Sequence, residues 1–171
     1  MVDSRGSARS TCSVGVVGAK VLGMSLPYEN STSGERAVND MQKILRQFGC
    51  GKFGHMMDFD KGELLVQFDY RGRQVSVKAS VSGYAAAWLK EHPFNNWTRI
   101  SKIAHERKAK EIGATAVYSI LRDWIKGQTT AIETGVLSFE GAFLGQILLP
   151  SGKTILETVE HQKMLPAPRG E

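Results

Sequence analysis

The chain has 171 residues and a formal net charge of +5 at pH 7, with 42% hydrophobic and 23% charged residues. This length and composition predict one soluble domain with a hydrophobic core of its own. No apolar run approaches the roughly 18 residues that a transmembrane helix requires, so the sequence argues against a membrane protein. The two cysteines, Cys12 and Cys50, are far apart and lack metal-ligand spacing, which favours a reducing compartment and argues against a disulfide framework.

Residues 1–23 are small and polar, rich in serine and glycine, and show no periodicity. They carry three basic side chains and one acidic side chain, a net charge of +2. The rest of the chain therefore carries the other +3 of the total of +5. We interpret this segment as a disordered extension, with Met24 as an alternative natural start. The expected organisation is an extension over residues 1–23, a single α+β domain over residues 24–165 and a flexible tail over residues 166–171.

A first helix is predicted to begin at Thr32, which forms a capping-box pattern with Glu35. Apolar residues then recur at the spacings that give one buried helix face. They are Ala37, Met41, Ile44, Leu45 and Phe48. Gly49 follows at the position where a residue in the left-handed conformation ends a helix.

Three β-prone runs come next, and the last two alternate apolar and polar residues. They cover residues 53–59, 64–70 and 75–81, with glycine-containing turns between them. Alternation across short turns predicts an antiparallel meander that buries one face against helices. We expect Ser82 to cap a second helix, which Pro93 ends.

The longest helical signal runs from Thr98 to Lys126. An apolar stripe marks its second half, formed by Val117, Ile120, Leu121, Trp124 and Ile125. Continued backward at about 100° per residue, the stripe reaches charged side chains in the first half. The helix is therefore expected either to break near Gly113 or to project its first half past the core into solvent.

The first half of this helix is the most basic segment of the chain and the predicted nucleic-acid site. The predicted site residues are Arg99, Lys102, Arg107, Lys108 and Lys110, with Trp97 beside them. Basic side chains displace the counterions of phosphates, and a neighbouring indole suits stacking on a base. The alternative is an ordinary solvated helix face, because Glu106 has Lys102 and Lys110 one turn away on either side.

The C-terminal part predicts a short helix over residues 128–136 and an apolar stretch over residues 137–149. After a turn, we favour a returning strand from residue 154 to 159, although Thr154 and Glu157 also fit the capping box of a helix. The predicted fold class is α+β. A helix, a three-stranded antiparallel meander and a helix form the core, followed by a long helix and a C-terminal hairpin or strand-helix.

No motif predicts a catalytic residue, a metal site or a cofactor. Gly152-Lys153-Thr154 ends like a phosphate-binding loop, but Ile147 occupies the position where that loop needs a glycine. The four histidines fall in four separate segments, and no pair has the spacing of zinc ligands. We therefore expect a protein that is not an enzyme.

A metal-dependent nuclease is the weaker, enzymatic alternative. Asp58 or Asp60 could supply a first carboxylate, and Lys78 lies on the third predicted strand. Ser76, however, occupies the position where such a site needs its second carboxylate ligand.

Four stretches of the chain resemble a family of small proteins from tailed phages and prophages with no assigned activity. They are MSLPYEN (residues 24–30), GELLVQF (62–68), VYSILRDWIKG (117–127) and FEGAFLGQ (139–146). The resemblance covers about residues 24–166 and leaves residues 1–23 outside it. It implies the cytoplasm of a bacterial host and brings no known catalytic residues.

Two function classes follow from the resemblance and the basic segment together. The first is a non-enzymatic phage accessory protein that binds DNA or RNA weakly and salt-sensitively through its basic helix. The second is a protein-binding module that inhibits a host factor or joins a phage assembly, with Tyr28, Phe94 and Trp97 as anchors. A homodimer through the apolar stripe of the long helix is a further expectation.

Overall fold

The computed structural model of this chain describes residues 25–95 and 100–165, which form five α-helices and a three-stranded sheet. The elements are α1 (Gly34–Phe48), β1 (Lys52–Asp58), β2 (Glu63–Tyr70), β3 (Arg73–Ser80), α2 (Val81–Glu91), α3 (Lys102–Glu133), α4 (Phe139–Phe143), a 3-10 turn (Leu144–Gln146) and α5 (Ile155–His161). This order confirms the predicted α+β class. Within the described residues, no helix combines the length and the apolar composition needed to cross a membrane.

The three strands form an antiparallel sheet in the order β1-β2-β3. Phe68 in the central strand pairs with Phe53 on one side and Val75 on the other, which sets the register. Alternation along β2 then buries Leu64, Val66 and Phe68 on one face, as the sequence predicts.

One hydrophobic cluster joins this face of the sheet to α1, α3 and α4. The largest fully buried side chains are Phe143, Met41, Leu45, Leu64, Ile125, Val66 and Val75. Full burial of a side chain of this size stabilises a fold by about 1.5–3 kcal/mol. Because these residues come from both ends of the described chain, the first helix and the C-terminal part contribute to the same core.

The helix caps lie close to their predicted positions. Ser33, rather than Thr32, caps α1, because its hydroxyl accepts the N–H three residues on at 3.2 Å. Ser80, rather than Ser82, caps α2 in the same way at 2.9 Å. Gly49, with a φ of +98°, ends α1 as predicted.

α3 is unbroken over 32 residues, so neither expectation for its first half is correct. The first half packs on α2 through His105, Ala109 and Gly113, which are all buried. A methyl group on Gly113 would lie 3.0 Å from the carbonyl oxygen of Val81 and 3.3 Å from the nitrogen of Ala85. The extrapolated stripe failed because small residues, which carry little hydrophobic signal, form the buried face here.

The C-terminal part differs most from the sequence prediction. α3 continues through Gly127, so the separate helix expected over residues 128–136 is wrong. Thr154 caps α5 in a capping box with Glu157, so the favoured returning strand is also wrong. Glu157 also forms an ion pair with Lys78 of β3, which links α5 to the sheet. This contact favours the helix α5 over a strand at residues 154–159.

Candidate nucleic-acid interface

The predicted basic segment forms the first turns of α3. Four of its cations are exposed: Lys102, Arg107, Lys108 and Lys110. Trp97 and Arg99, the other two predicted contacts, lie outside the described residues. His105 and Ala109 are buried against α2, and Nε2 of His105 donates to the carbonyl of His92 at 2.8 Å. The three exposed cations that follow His105 therefore stand on a part of α3 that is packed against α2.

The four cations do not share one face of α3. Arg107 lies four residues after Ile103, and Lys110 lies three residues after Arg107. These three side chains therefore lie on the same side of the helix. Lys108 is rotated about 100° from Arg107 around the helix axis. The structure thus brings Arg107 and Lys110 together and directs Lys108 elsewhere.

Arg107 and Lys110 form one wall of a groove of about 240 Å³, and the turn between β1 and β2 forms the other. We call it the Phe59 groove, and its lining includes Met57, Phe59, Asp60, Arg107, Lys110, Glu111 and Ala114. Phe59 is 88% exposed, and Ile103 near the start of α3 is 79% exposed. The groove therefore combines an exposed aromatic ring with two cations.

Local hydrogen bonds fix the turn that carries Phe59. Oδ1 of Asp58 accepts the N–H groups of Asp60 and Lys61 at 3.1 and 3.0 Å. The carbonyl of Gly62, which has a φ of +63°, accepts the first N–H of α2 at 2.9 Å. Phe59 is therefore presented to solvent by a turn tied to both the sheet and α2.

One ion pair crosses the surface of the basic segment. Arg107 lies 3.8 Å from Glu111, with side chains that are 77% and 71% exposed. Within the described residues, this pair takes the place of those expected between Glu106 and Lys102 or Lys110. An ion pair this exposed contributes little stability, so Arg107 can leave it for a phosphate at small cost.

A second cleft, of about 540 Å³, lies further along α3. We call it the Tyr118 cleft, and its lining includes Glu35, Asn39, His55, Ala114, Thr115 and Tyr118. The Tyr118 hydroxyl lies 3.3 Å from Nδ1 of His55, and the two rings meet edge to face with centroids 5.8 Å apart. Burial raises the pKa of the Tyr118 hydroxyl, so this group stays protonated at neutral pH.

The groups of the nuclease alternative are engaged elsewhere. Asp58 holds the turn before β2, and Lys78 pairs with Glu157. Asp60, the other candidate carboxylate, lines the Phe59 groove. Among the described residues, no group of three or more His, Cys, Asp or Glu side chains is placed to hold a metal ion.

Most of the aromatic residues predicted as protein-binding anchors make contacts within the domain. Phe94 is half-buried beside the ring of a buried histidine. The Tyr28 hydroxyl donates to Asp123 at 3.0 Å. Trp124, from the apolar stripe proposed for a dimer, packs edge-on against Phe143 at 5.6 Å. Phe94 and Trp124 are thus packed within the domain, whereas Tyr28 is 38% exposed and held by its hydrogen bond.

The sequence prediction missed Phe59, because it placed this residue inside the first strand. Two aspartates flank Phe59, and Asp58 hydrogen-bonds to the backbone of the following residues. Aspartates at the end of a strand are a turn signal, and an aromatic residue within a turn is exposed more readily than one within a strand. That local signal was present but was outweighed by the β propensity of phenylalanine.

No known protein family, curated protein or solved structure matches this chain. The function is therefore inferred from the geometry and chemistry of the Phe59 groove and the Tyr118 cleft.

Proposed function

We propose that this protein is a non-enzymatic nucleic-acid-binding accessory protein that contacts phosphates through the start of α3. The observation that supports this most directly is the Phe59 groove, where Arg107 and Lys110 stand across from a phenylalanine that is 88% exposed. Leaving such a side chain in water forgoes about 1.5–3 kcal/mol of burial. An exposed aromatic ring beside cations is the arrangement used to stack bases while binding their phosphates.

The electrostatics favour weak and sequence-independent binding. The described part of α3 up to Gly113 carries the four cations Lys102, Arg107, Lys108 and Lys110 against Glu106 and Glu111. Each phosphate that a cation neutralises releases counterions, which makes affinity fall with salt. If these four described cations each contact one phosphate, the slope of log K against log salt should be about −3 for a single strand.

We further propose that the protein works in the cytoplasm of a bacterial host as a phage or prophage accessory. The support is the resemblance of four stretches of the sequence to small phage proteins. A surface that binds phosphates without reading sequence would suit an accessory that acts on exposed phage DNA or RNA.

Fluorescence anisotropy of labelled DNA and RNA tests the proposal. The full chain is titrated at about 50 mM and about 200 mM salt, a range over which phosphate-driven binding weakens strongly. The test variant replaces Lys102, Arg107, Lys108 and Lys110 with alanine. The control variant loses the same charge elsewhere, at the exposed residues Arg46, Lys90, Lys126 and Lys153.

We expect binding at low salt that weakens at high salt, is lost in the test variant and survives in the control variant. Loss of binding to the same degree in both variants would show that net charge, rather than this surface, attracts the ligand. No binding at low salt would overturn the proposal.

A protein-binding module is the second candidate, and the exposure of Phe59 and Ile103 favours it. Such a module would inhibit a host factor or join a phage assembly by docking an apolar side chain into the Phe59 groove. Apolar docking depends little on salt, whereas phosphate binding depends on it strongly. Salt dependence therefore separates the two candidates.

A further inference from the structure

The Phe59 groove and the Tyr118 cleft adjoin each other along α3. Ala114 lines both of them. Arg107, Lys110, Ala114 and Tyr118 follow at spacings of three, four and four residues, which keeps them on one side of the helix. β1 runs along the same path, with Met57 at the groove and His55 at the cleft. We call these two adjoining cavities together the track, which follows α3 with β1 beside it and has α1 in the lining of the cleft end.

The two ends of this track differ in chemistry. The Phe59 groove offers the cations Arg107 and Lys110 beside an exposed ring, and its lining also includes the carboxylates of Asp60 and Glu111. The Tyr118 cleft has no lysine or arginine among its described lining residues, so the carboxylate of Glu35 there has no cation beside it and repels phosphate. Its other polar groups, the amide of Asn39 and the pair formed by His55 and Tyr118, can hydrogen-bond to a neutral base.

We propose that the track binds single-stranded nucleic acid, with one base stacked on Phe59 and another seated in the Tyr118 cleft. This inference rests on the proposed function and specifies its ligand. A duplex keeps its base faces stacked inside the helix, whereas an unpaired strand can present a base to an aromatic ring and to a cleft. Arg107 and Lys110 then bind the phosphates at the groove end.

The length of the track sets the size of the bound segment. Lys110 and Tyr118 are eight residues apart in α3, which corresponds to about 12 Å along the helix axis. A stacked strand advances about 3.4 Å per nucleotide. The track therefore holds about four nucleotides, and longer strands gain affinity only because they offer more positions at which to bind.

The test compares single-stranded and duplex oligonucleotides of about 16 nucleotides, bound to the full chain at low salt. A series of shorter single strands measures the site size. Phe59→Ala removes the stacking ring, and Asn39→Ala removes a polar group of the cleft. Met56→Ala, on the opposite face of β1, and Gln47→Ala, near the end of α1, are the matched controls, since both residues are exposed.

We expect the single strand to bind at least about 5-fold more tightly than the duplex, because stacking one base on an aromatic ring adds about 5- to 150-fold. Phe59→Ala should weaken single-strand binding by about 5- to 150-fold and leave its salt slope unchanged. Asn39→Ala should weaken it in the same direction, and the two controls should not. The gain with length should level off after about four nucleotides.

Two results would overturn the inference in distinguishable ways. If single strand and duplex bind equally and Phe59→Ala behaves like Met56→Ala, the track is not a single-strand site, while salt-sensitive nucleic-acid binding stands. If neither oligonucleotide binds at low salt, the inference and the proposed function both fail.

Discussion

Gly113 and Gly127 lie in the same helix but in opposite surroundings. A methyl group at Gly113 would meet the backbone of α2, at 3.0 Å from the carbonyl oxygen of Val81, whereas at Gly127 nothing lies within 4 Å. Glycine in a helix interior is less favourable than alanine by about 1 kcal/mol. Only at Gly113 does the approach of a neighbouring helix compensate for that cost.

We therefore predict opposite effects for the same substitution. Gly113→Ala should lower the free energy of unfolding by about 1–2 kcal/mol, because the added methyl group forces α2 and α3 apart. Gly127→Ala should raise it by about 0.5–1 kcal/mol. Urea denaturation measures both, and a stabilised Gly113→Ala variant would contradict the close approach of the two helices.

At the scale of elements, the sequence predicted those that depend on local signals and failed for those that depend on contacts between distant segments. The meander was predicted because alternation and turn residues are local, and α1 because its cap and buried stripe lie within one segment. The environment of the first half of α3 was not predicted, because its burial depends on contact with α2 and on small residues such as Ala109 and Gly113. For the same reason the predicted cations were identified without Phe59, which lies about fifty positions away in the chain and meets them only in the fold.

The attachment of α5 makes stability depend on pH. The hydrogen bond from Lys78, and after it the backbone N–H of Thr154, hold the pKa of Glu157 below its ordinary value of 4.5. A carboxyl group whose pKa is lower in the folded state stabilises the fold above the ordinary pKa. That contribution is lost as the pH falls from 4.5 through the lower, folded-state pKa.

We predict that Glu157→Gln lowers the free energy of unfolding at pH 7 by no more than about 1 kcal/mol, since the ion pair is partly exposed. Glutamine keeps the capping bond to Thr154 but loses the charge. The difference from the unaltered protein should vanish once the solution is acid enough to protonate Glu157. Urea midpoints across the acid range measure this, and a difference that persists at the acid end would exclude the ionic contribution.

For the whole molecule, the C-terminal part belongs to the same core as the sheet. Phe143 is fully buried, and its ring meets those of Phe68, Trp124 and Phe139 at centroid distances of 5.4, 5.6 and 5.4 Å. The sequence marked this stretch as apolar but carried no local signal for its partners. The C-terminal part is therefore integrated into the domain.

We predict that Phe143→Ala lowers the free energy of unfolding by about 3–5 kcal/mol, through lost burial and the cavity left behind. Because the core is shared, unfolding should remain a single transition, with the same midpoint by tryptophan fluorescence and far-ultraviolet circular dichroism. Leu144→Ala is the control, since Leu144 is 53% exposed. Midpoints that separate would indicate a C-terminal part that unfolds independently.

The buried His105 has a consequence for how α3 opens at its end. Helix ends fray, and the first turn of α3, where Ile103 is 79% exposed, is held mainly by the cap from Ser101, whose hydroxyl accepts the N–H of Ala104 at 3.2 Å. His105 lies 7% exposed with its ring beside Trp88, so it stops the fraying before Arg107 is reached. Backbone amides before His105 should therefore exchange with solvent readily, and those after it slowly. The groove wall formed by Arg107 and Lys110 begins just inside the protected part, so a ligand that docks there meets a surface that is already ordered and the protein loses little entropy.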